Sequence, residues 1–464
     1  MSAPPTLPVF QAFDRAKFAE VPLDDDHALE EKLERARRAF AARDNWLKPY
    51  ERAAILLRIS QLVAERRDTL RDLIAREGGK PFADAAVEVT RAIDGLRNAA
   101  EELRNFGGTE IPMGLTPASD GRWAFTIREP IGVVAAISAF NHPLNLIVHQ
   151  VAPAIAVGCP VIVKPASSTP LCCLELVKLA HAAGLPEEWC QSYVPPSSAG
   201  AERLACDPRV AFLSFIGSGN VGWYLRSKLA PGTRCALEHG GAAPLIVDRD
   251  ADLDAIIEPI VKGGYYHAGQ VCVSVQRIFA HADVHDAFVE RLANRVSALK
   301  VGDPLAPETE VGPLILPKEV ARIASWVEEA TRDGARVAVG GRRLSETSYQ
   351  PTVLLEPAAD AKVSLDEVFG PVTCVWPYTE LDQAIARANA VPFAFQASVF
   401  TKKLDVALRF AERIDAATVM VNDHTAFRTD WMPFAGRKQS GYGIGGIGWT
   451  MRELTQHKMV VFKR

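Results

Sequence analysis

The chain has 464 residues, of which 48% are hydrophobic and 23% charged. That balance excludes wholesale disorder, and the length favours two or three packed domains over one core. Lys and Arg number 52 against 56 Asp and Glu, a net charge of −4, so no nucleic-acid or anionic-membrane surface is implied and small molecules are the expected ligands.

The opening residues, MSAPPTLPVFQAFD, carry no basic stretch followed by an apolar run. No later segment approaches the ~20 uninterrupted apolar residues of a membrane span. The expected location is the cytoplasm. From 25 to about 105 helical spacing dominates, with Leu29, Leu33, Ala36 and Phe40 on one stretch and Ala54, Leu57, Ile59, Leu62 and Val63 on the next. From 131 short β-rich runs, Gly132 to Ile137, Val161 to Lys164, Ala211 to Ile216 and Pro244 to Val247, alternate with helix-length amphipathic segments. Such alternation predicts βαβ units and a parallel sheet of nucleotide-binding type.

A second alternation follows: a strand at 275–280, a helix over Val284, Phe288, Val289, Leu292, Val296 and Leu299, and strands near 334–339, 371–376, 396–401 and 417–421. It predicts a second α/β domain, with the boundary near Gly240-Gly241. The last stretch, Lys458 to Arg464, reads as a strand that must pair with something, and we expect it to contribute to an oligomer contact. Eight cysteines without a CxxC or a Cys/His cluster read as reduced thiols, neither a disulfide frame nor a metal site.

Three side chains carry chemistry. Cys272 follows Gly269-Gln270-Val271, Glu238 lies 34 positions upstream in Leu237-Glu238-His239-Gly240-Gly241, and Asn141 stands in Phe140-Asn141-His142-Pro143. A carbonyl attacked by a thiolate needs a donor for the new oxyanion and then a base to activate water. Cys, Asn and Glu supply these parts. Gly217-Ser218-Gly219-Asn220-Val221-Gly222 spells GxGxxG between a strand and a helix, but at least two strand-helix units precede it, unlike an ordinary dinucleotide fingerprint.

These motifs, in this order and over nearly the whole chain, resemble the aldehyde dehydrogenase superfamily, its non-acylating members in particular. Lys164-Pro165-Ala166 is similar to the family's cofactor-ribose segment, Phe215-Ile216-Gly217-Ser218 to its pyrophosphate turn, Glu367-Val368-Phe369-Gly370-Pro371 to its nicotinamide-ribose segment, and Pro433-Phe434-Ala435-Gly436 with Ser440-Gly441 to its late substrate-side signature. The resemblance implies an α/β fold with a Rossmann-type cofactor domain (1–111 and 131–238), an α/β catalytic domain (239–443) and a small β oligomerisation element (112–130 and 444–464), assembled as a homodimer or homotetramer. It implies Cys272 as nucleophile, Glu238 as base and Asn141 as oxyanion donor. Lys164, Ser167, Gly217, Ser218, Gly222, Glu367 and Phe369 would bind the cofactor.

The resemblance implies NAD or NADP as cofactor, NADP being permitted because Ser167 stands where many strictly NAD-using relatives carry Glu, which repels a 2′-phosphate. The expected reaction is oxidation of a small polar aldehyde to its acid through a cysteine thiohemiacetal and a thioester. Lactaldehyde dehydrogenases and their relatives look most similar, with Arg104, His149 and Arg428 as candidate substrate contacts. The chain departs from the family at Ala242, after Gly240-Gly241 where Lys is usual, and at Ile216, Gly219 and Asn220 in the pyrophosphate turn. Two alternatives stay open: a nucleotide-binding descendant without turnover, and a thioester hydrolase without redox chemistry.

Overall fold

The structure, a computed structural model, describes residues 5–464. After a hairpin of Thr6–Phe10 and Lys17–Pro22 come four long helices, Asp26–Ala41, Pro49–Glu65, Arg67–Gly78 and Phe82–Glu102. The first starts where the Asp25 side chain accepts the Ala28 N–H at 2.8 Å, satisfying an amide that the helix start leaves free. It buries Leu29, Leu33 and Ala36, the face that the spacing predicted.

Two large sheets follow. The first orders its strands Gly441–Tyr442, Arg234–Glu238, Val210–Ile216, Val133–Ile137, Val161–Lys164, Cys190–Ser192, all parallel except the first. Val133–Ile137 is buried along its whole length, as a central parallel strand covered on both faces must be. Strand order reverses around it: the chain moves outward through 161–164 to 190–192, then returns to 210–216 on its other side. Such a reversal opens a crevice beyond the carboxyl ends of the strands.

The second sheet has seven strands, Arg336–Val339, Thr352–Leu355, Val372–Tyr378, Val275–His281, Ala243–Val247, Gln396–Phe400 and Thr418–Val421, parallel except for the first. A third, antiparallel sheet pairs Thr455–Lys463 with Arg122–Pro130 over nine positions, with Glu110–Ile111 on the other edge of Arg122–Pro130. The terminal strand therefore finds its partner within the chain.

The chain crosses the sequence boundaries at three places. Gly441–Tyr442 closes the edge of the first sheet against Glu238 and Leu237. Ile447, Met451 and Leu454 pack into the core around the helix Asn145–Val157, not onto the terminal strand's sheet. Glu110–Ile111 belongs with Arg122–Pro130. Each is a long-range return that local spacing does not encode.

Candidate active site

A cleft of about 960 Å³ lies between the two large sheets. The first sheet contributes the carboxyl ends of its strands: Ile137 leads to Asn141, Lys164 ends the next strand, Ile216 leads to Gly217 and Glu238 ends another. The second sheet contributes the loops that enter its strands, Gln270 to Val273 before Val275 and Glu367 to Phe369 before Val372. Three residues expected to act together, Cys272, Glu238 and Asn141, thus line one cleft although they come from three distant segments.

The nucleophile loop is held by its backbone. His267, Ala268 and Gly269 adopt φ of 50°, 54° and 69°, left-handed values that cost L-residues free energy. Gly269 admits no side chain, since a Cβ would meet the Gly370 carbonyl oxygen at 2.1 Å. Gln270 then locks the turn: its Nε2 donates to the carbonyls of His267 and Pro313, both at 3.2 Å, and its Oε1 accepts the Ile315 N–H at 2.9 Å.

Asn141 is tied to that loop, its Nδ2 donating to the Gln270 carbonyl at 2.9 Å. A primary amide has a second N–H, which remains for another acceptor. The segment after Asn141 is anchored from beneath. The Glu88 carboxylate accepts the N–H groups of Leu144 and Asn145 at 2.9 and 3.1 Å and pairs with Lys80, both charged side chains being fully buried.

Burial pushes the Cys272 thiol up to about 12, and the Arg428 guanidinium works against that shift. Burial likewise raises the Glu238 carboxyl, again with Arg428 opposing. A raised carboxyl suits a group that must take a proton from water near neutral pH. Glu238 lies tight against Gly445, where a Cβ would sit 2.0 Å from its Oε1, so only glycine leaves the carboxyl its place.

The cofactor candidates divide. Lys164, Ser167, Gly217, Ser218, Glu367 and Phe369 line the cleft. Lys164 has no acidic partner within 4.0 Å among the described residues, and burial lowers its ammonium. Ser218 precedes the helix Gly219–Lys228, whose first amides no side chain caps. Glu367 accepts the Gly241 N–H on Oε1 at 3.1 Å, and burial pushes its carboxyl up to about 8. Phe369 packs edge-on against Phe140, ring centroids 5.8 Å apart. A cation, a free helix start and a second carboxylate fit a dinucleotide's phosphates and ribose hydroxyls.

Gly222 lies behind the cleft instead, where a Cβ would meet His239 Cε1 at 2.0 Å. It serves close packing, because His239 wedges between the helix and the turn and its Nδ1 donates to the Gly217 carbonyl at 3.0 Å. Of the substrate candidates, Arg104 sits exposed on the short turn Leu103–Asn105 and does not line the cleft. Arg428 lines it, and His149 is buried directly behind Arg428. Sequence spacing gave no sign of Arg91 or Arg322, which also line the cleft, as does Tyr266. Arg322 donates to the Val368 carbonyl at 2.8 Å, steadying the Glu367–Phe369 turn.

A nucleophile loop, an amide and a carboxylate around a dinucleotide crevice define an enzyme class, and residues 1–460 match the aldehyde dehydrogenase family. The chain belongs to that family and is an NAD(P)-dependent aldehyde dehydrogenase. It is 38% identical over 417 residues to a 3-sulfolactaldehyde dehydrogenase of Priestia aryabhattai, covering 90% of this chain and 87% of the relative. Aldehyde dehydrogenase 21 from Physcomitrella patens, solved with the reaction product succinate, superposes with a TM-score of 0.96 at 33% identity, over 99% of this chain and 95% of that one. The glyceraldehyde-3-phosphate dehydrogenase of Methanocaldococcus jannaschii, solved with NADP, gives 0.94 at 32% identity over 99% of each chain.

Proposed function

We propose that the chain oxidises a small polar aldehyde to its carboxylate, with Cys272 as nucleophile, Asn141 as oxyanion donor and Glu238 as base. The observation that carries this reading is the bond from Asn141 Nδ2 to the Gln270 carbonyl, which sets the amide two residues from the sulfur. Cys272 loses its proton and attacks the aldehyde carbon, and the Arg428 charge favours the thiolate. The free Asn141 N–H and the Cys272 backbone N–H stabilise the oxyanion, a donor of this kind contributing about 3–4 kcal/mol in the transition state. A bound oxidised nicotinamide supplies the hydride acceptor. The thioester left on Cys272 is attacked by water as Glu238 takes its proton, which releases the acid and restores the thiol.

Lys164, Ser167 and Glu367 would hold the ribose hydroxyls, Gly217 and Ser218 the pyrophosphate, and Phe369 the nicotinamide face. Ser167 leaves room for a 2′-phosphate, so both NAD and NADP are served. The names of the three relatives specify a sulfonated aldehyde, a dicarboxylate product and a phosphorylated aldehyde, which supports a small polar substrate here. In this reading the first sheet and its helices form the cofactor domain, the seven-stranded sheet the catalytic domain and the antiparallel sheet the oligomerisation element.

On that third sheet Trp123, Phe125 and Ile127 share a face with Phe462, and the Trp123 and Phe462 rings stack at 5.6 Å while about half exposed. An apolar face of this kind supports a homodimer or homotetramer. No helix among the described residues is long and apolar enough to cross a membrane, and all eight cysteines are unpaired, which supports the cytoplasm. The deciding assay follows absorbance of reduced cofactor with a panel of aldehydes and both cofactors. Aldehyde-dependent reduction is expected; hydrolysis of thioesters without any reduction would replace this reading by the redox-independent one.

A further inference from the structure

At the back of the cleft five side chains form a network of hydrogen bonds with one consistent polarity. Asp430, almost fully buried, accepts Arg91 Nη2 at 2.7 Å, Asn145 Nδ2 at 3.1 Å and His149 Nε2 at 2.7 Å. A carboxylate only accepts, so His149 carries its proton on Nε2. Its Nδ1 is then a lone pair, and Arg428 Nη2 lies on it at 3.3 Å. Burial holds His149 down at about 4, and the neighbouring Arg428 adds to that shift, so the imidazole is neutral at physiological pH and its acceptor stays available.

Arg428 is therefore clamped: one edge is on His149, and its guanidinium carbon lies 3.5 Å from the centroid of the Phe434 ring. Asp430 neutralises Arg91, but among the described residues no carboxylate lies within 4.0 Å of Arg428. Its Nε is buried with no hydrogen-bond partner. Val271, Val273, Phe395 and Phe434 pack together beside Cys272 as an apolar part of the wall. Glu238 and Asp430 act on the buried cation only at a distance, so a ligand that brings an anion into direct contact with it would be stabilised.

We infer that Asp430 and His149 are positioning residues that aim the Arg428 guanidinium into the cleft to receive a small oxyanion, a carboxylate or sulfonate, on the far end of the aldehyde. The inference rests on the aldehyde-oxidation reading and narrows its substrate to anionic aldehydes. Arg428 recognises the anionic tail while Asn141 faces the carbonyl at the other end.

The test compares each anionic aldehyde with a neutral isostere: succinic semialdehyde with isohexanal, and sulfoacetaldehyde with tert-butylacetaldehyde. For the wild type kcat/KM should favour the anion in at least one pair, and the larger ratio identifies carboxylate or sulfonate as the preferred group. Arg428→Gln should lower that ratio on the order of a hundredfold, chiefly through KM, because it removes the charge that the tail meets. His149→Phe should lower it on the order of tenfold, and His149→Gln, whose amide can still accept from Arg428 and donate to Asp430, should restore part of the loss. Equal turnover within both pairs by an active wild-type enzyme, or proportional losses on anion and isostere in the variants, would overturn the inference and leave Arg428 a role in favouring the thiolate. Failure of every aldehyde to reduce either cofactor would overturn the oxidation reading itself, and this inference with it.

Discussion

Asn141 and Gln270, 129 positions apart, are joined by a single 2.9 Å hydrogen bond that links the carboxyl-end loops of one sheet to the entry loop of the other. The bond does two jobs. It orients the amide two residues from Cys272 and it ties the two sheets' loops together across the cleft. Asn141→Ala should lower kcat by about 10²–10³-fold, the usual loss for one oxyanion donor. Steady-state kinetics at saturating cofactor would check this, and a fall in aldehyde KM without a fall in kcat would contradict the assignment.

In the proposed mechanism Glu238 and Cys272 act at different stages, and single turnovers separate them. Cys272→Ala should reduce no cofactor at all. Glu238→Gln should give a burst of reduced cofactor equivalent to the enzyme present and then stall at the thioester. Stopped-flow absorbance reads both, and an undiminished steady state in Glu238→Gln would remove it as the base.

Cofactor binding should depend on pH through Glu367. Burial pushes this carboxyl up to about 8, so it is protonated at lower pH and accepts ribose hydroxyls well only as the carboxylate. Affinity should therefore strengthen as pH climbs towards about 8, by at most about tenfold per pH unit, and level off above it. Titration of binding between about pH 6 and pH 9 tests this. Glu367→Gln should flatten the profile.

The buried Lys80 and Glu88 pair supports the loop that carries Asn141. Glu88→Gln strands the Lys80 charge in the core and should destabilise the chain by about 3–5 kcal/mol. Adding Lys80→Met should recover much of that loss, since the lone charge is what costs. Denaturant midpoints of the single and double variants give the answer.

Much of the cleft was legible because its chemistry is local in sequence. The strand ends at Ile137, Lys164 and Ile216 follow from short β-rich runs closed by turn residues, and Cys272 is marked by Gly269-Gln270 beside it. The resemblance assigns Gly222 to the cofactor, but this glycine does not line the cleft, and its missing Cβ makes room for His239, 17 positions later, a contact that no local pattern announces. Arg91 and Asp430, 339 positions apart, left no trace in spacing at all. Neither did Gly445, whose need to be glycine arises only from the Glu238 carboxyl lying against it.

The return of Gly441–Tyr442 to the edge of the first sheet has a consequence for biosynthesis. Until residues 441–451 have left the ribosome, the strand that ends in Glu238 has an unpaired rim and the helix Asn145–Val157 lacks the covering of Ile447 and Met451. Such rims invite intermolecular pairing before release. The nascent chain should therefore depend on chaperone shielding until residues 441–454 emerge, and activity should switch on only after they have docked.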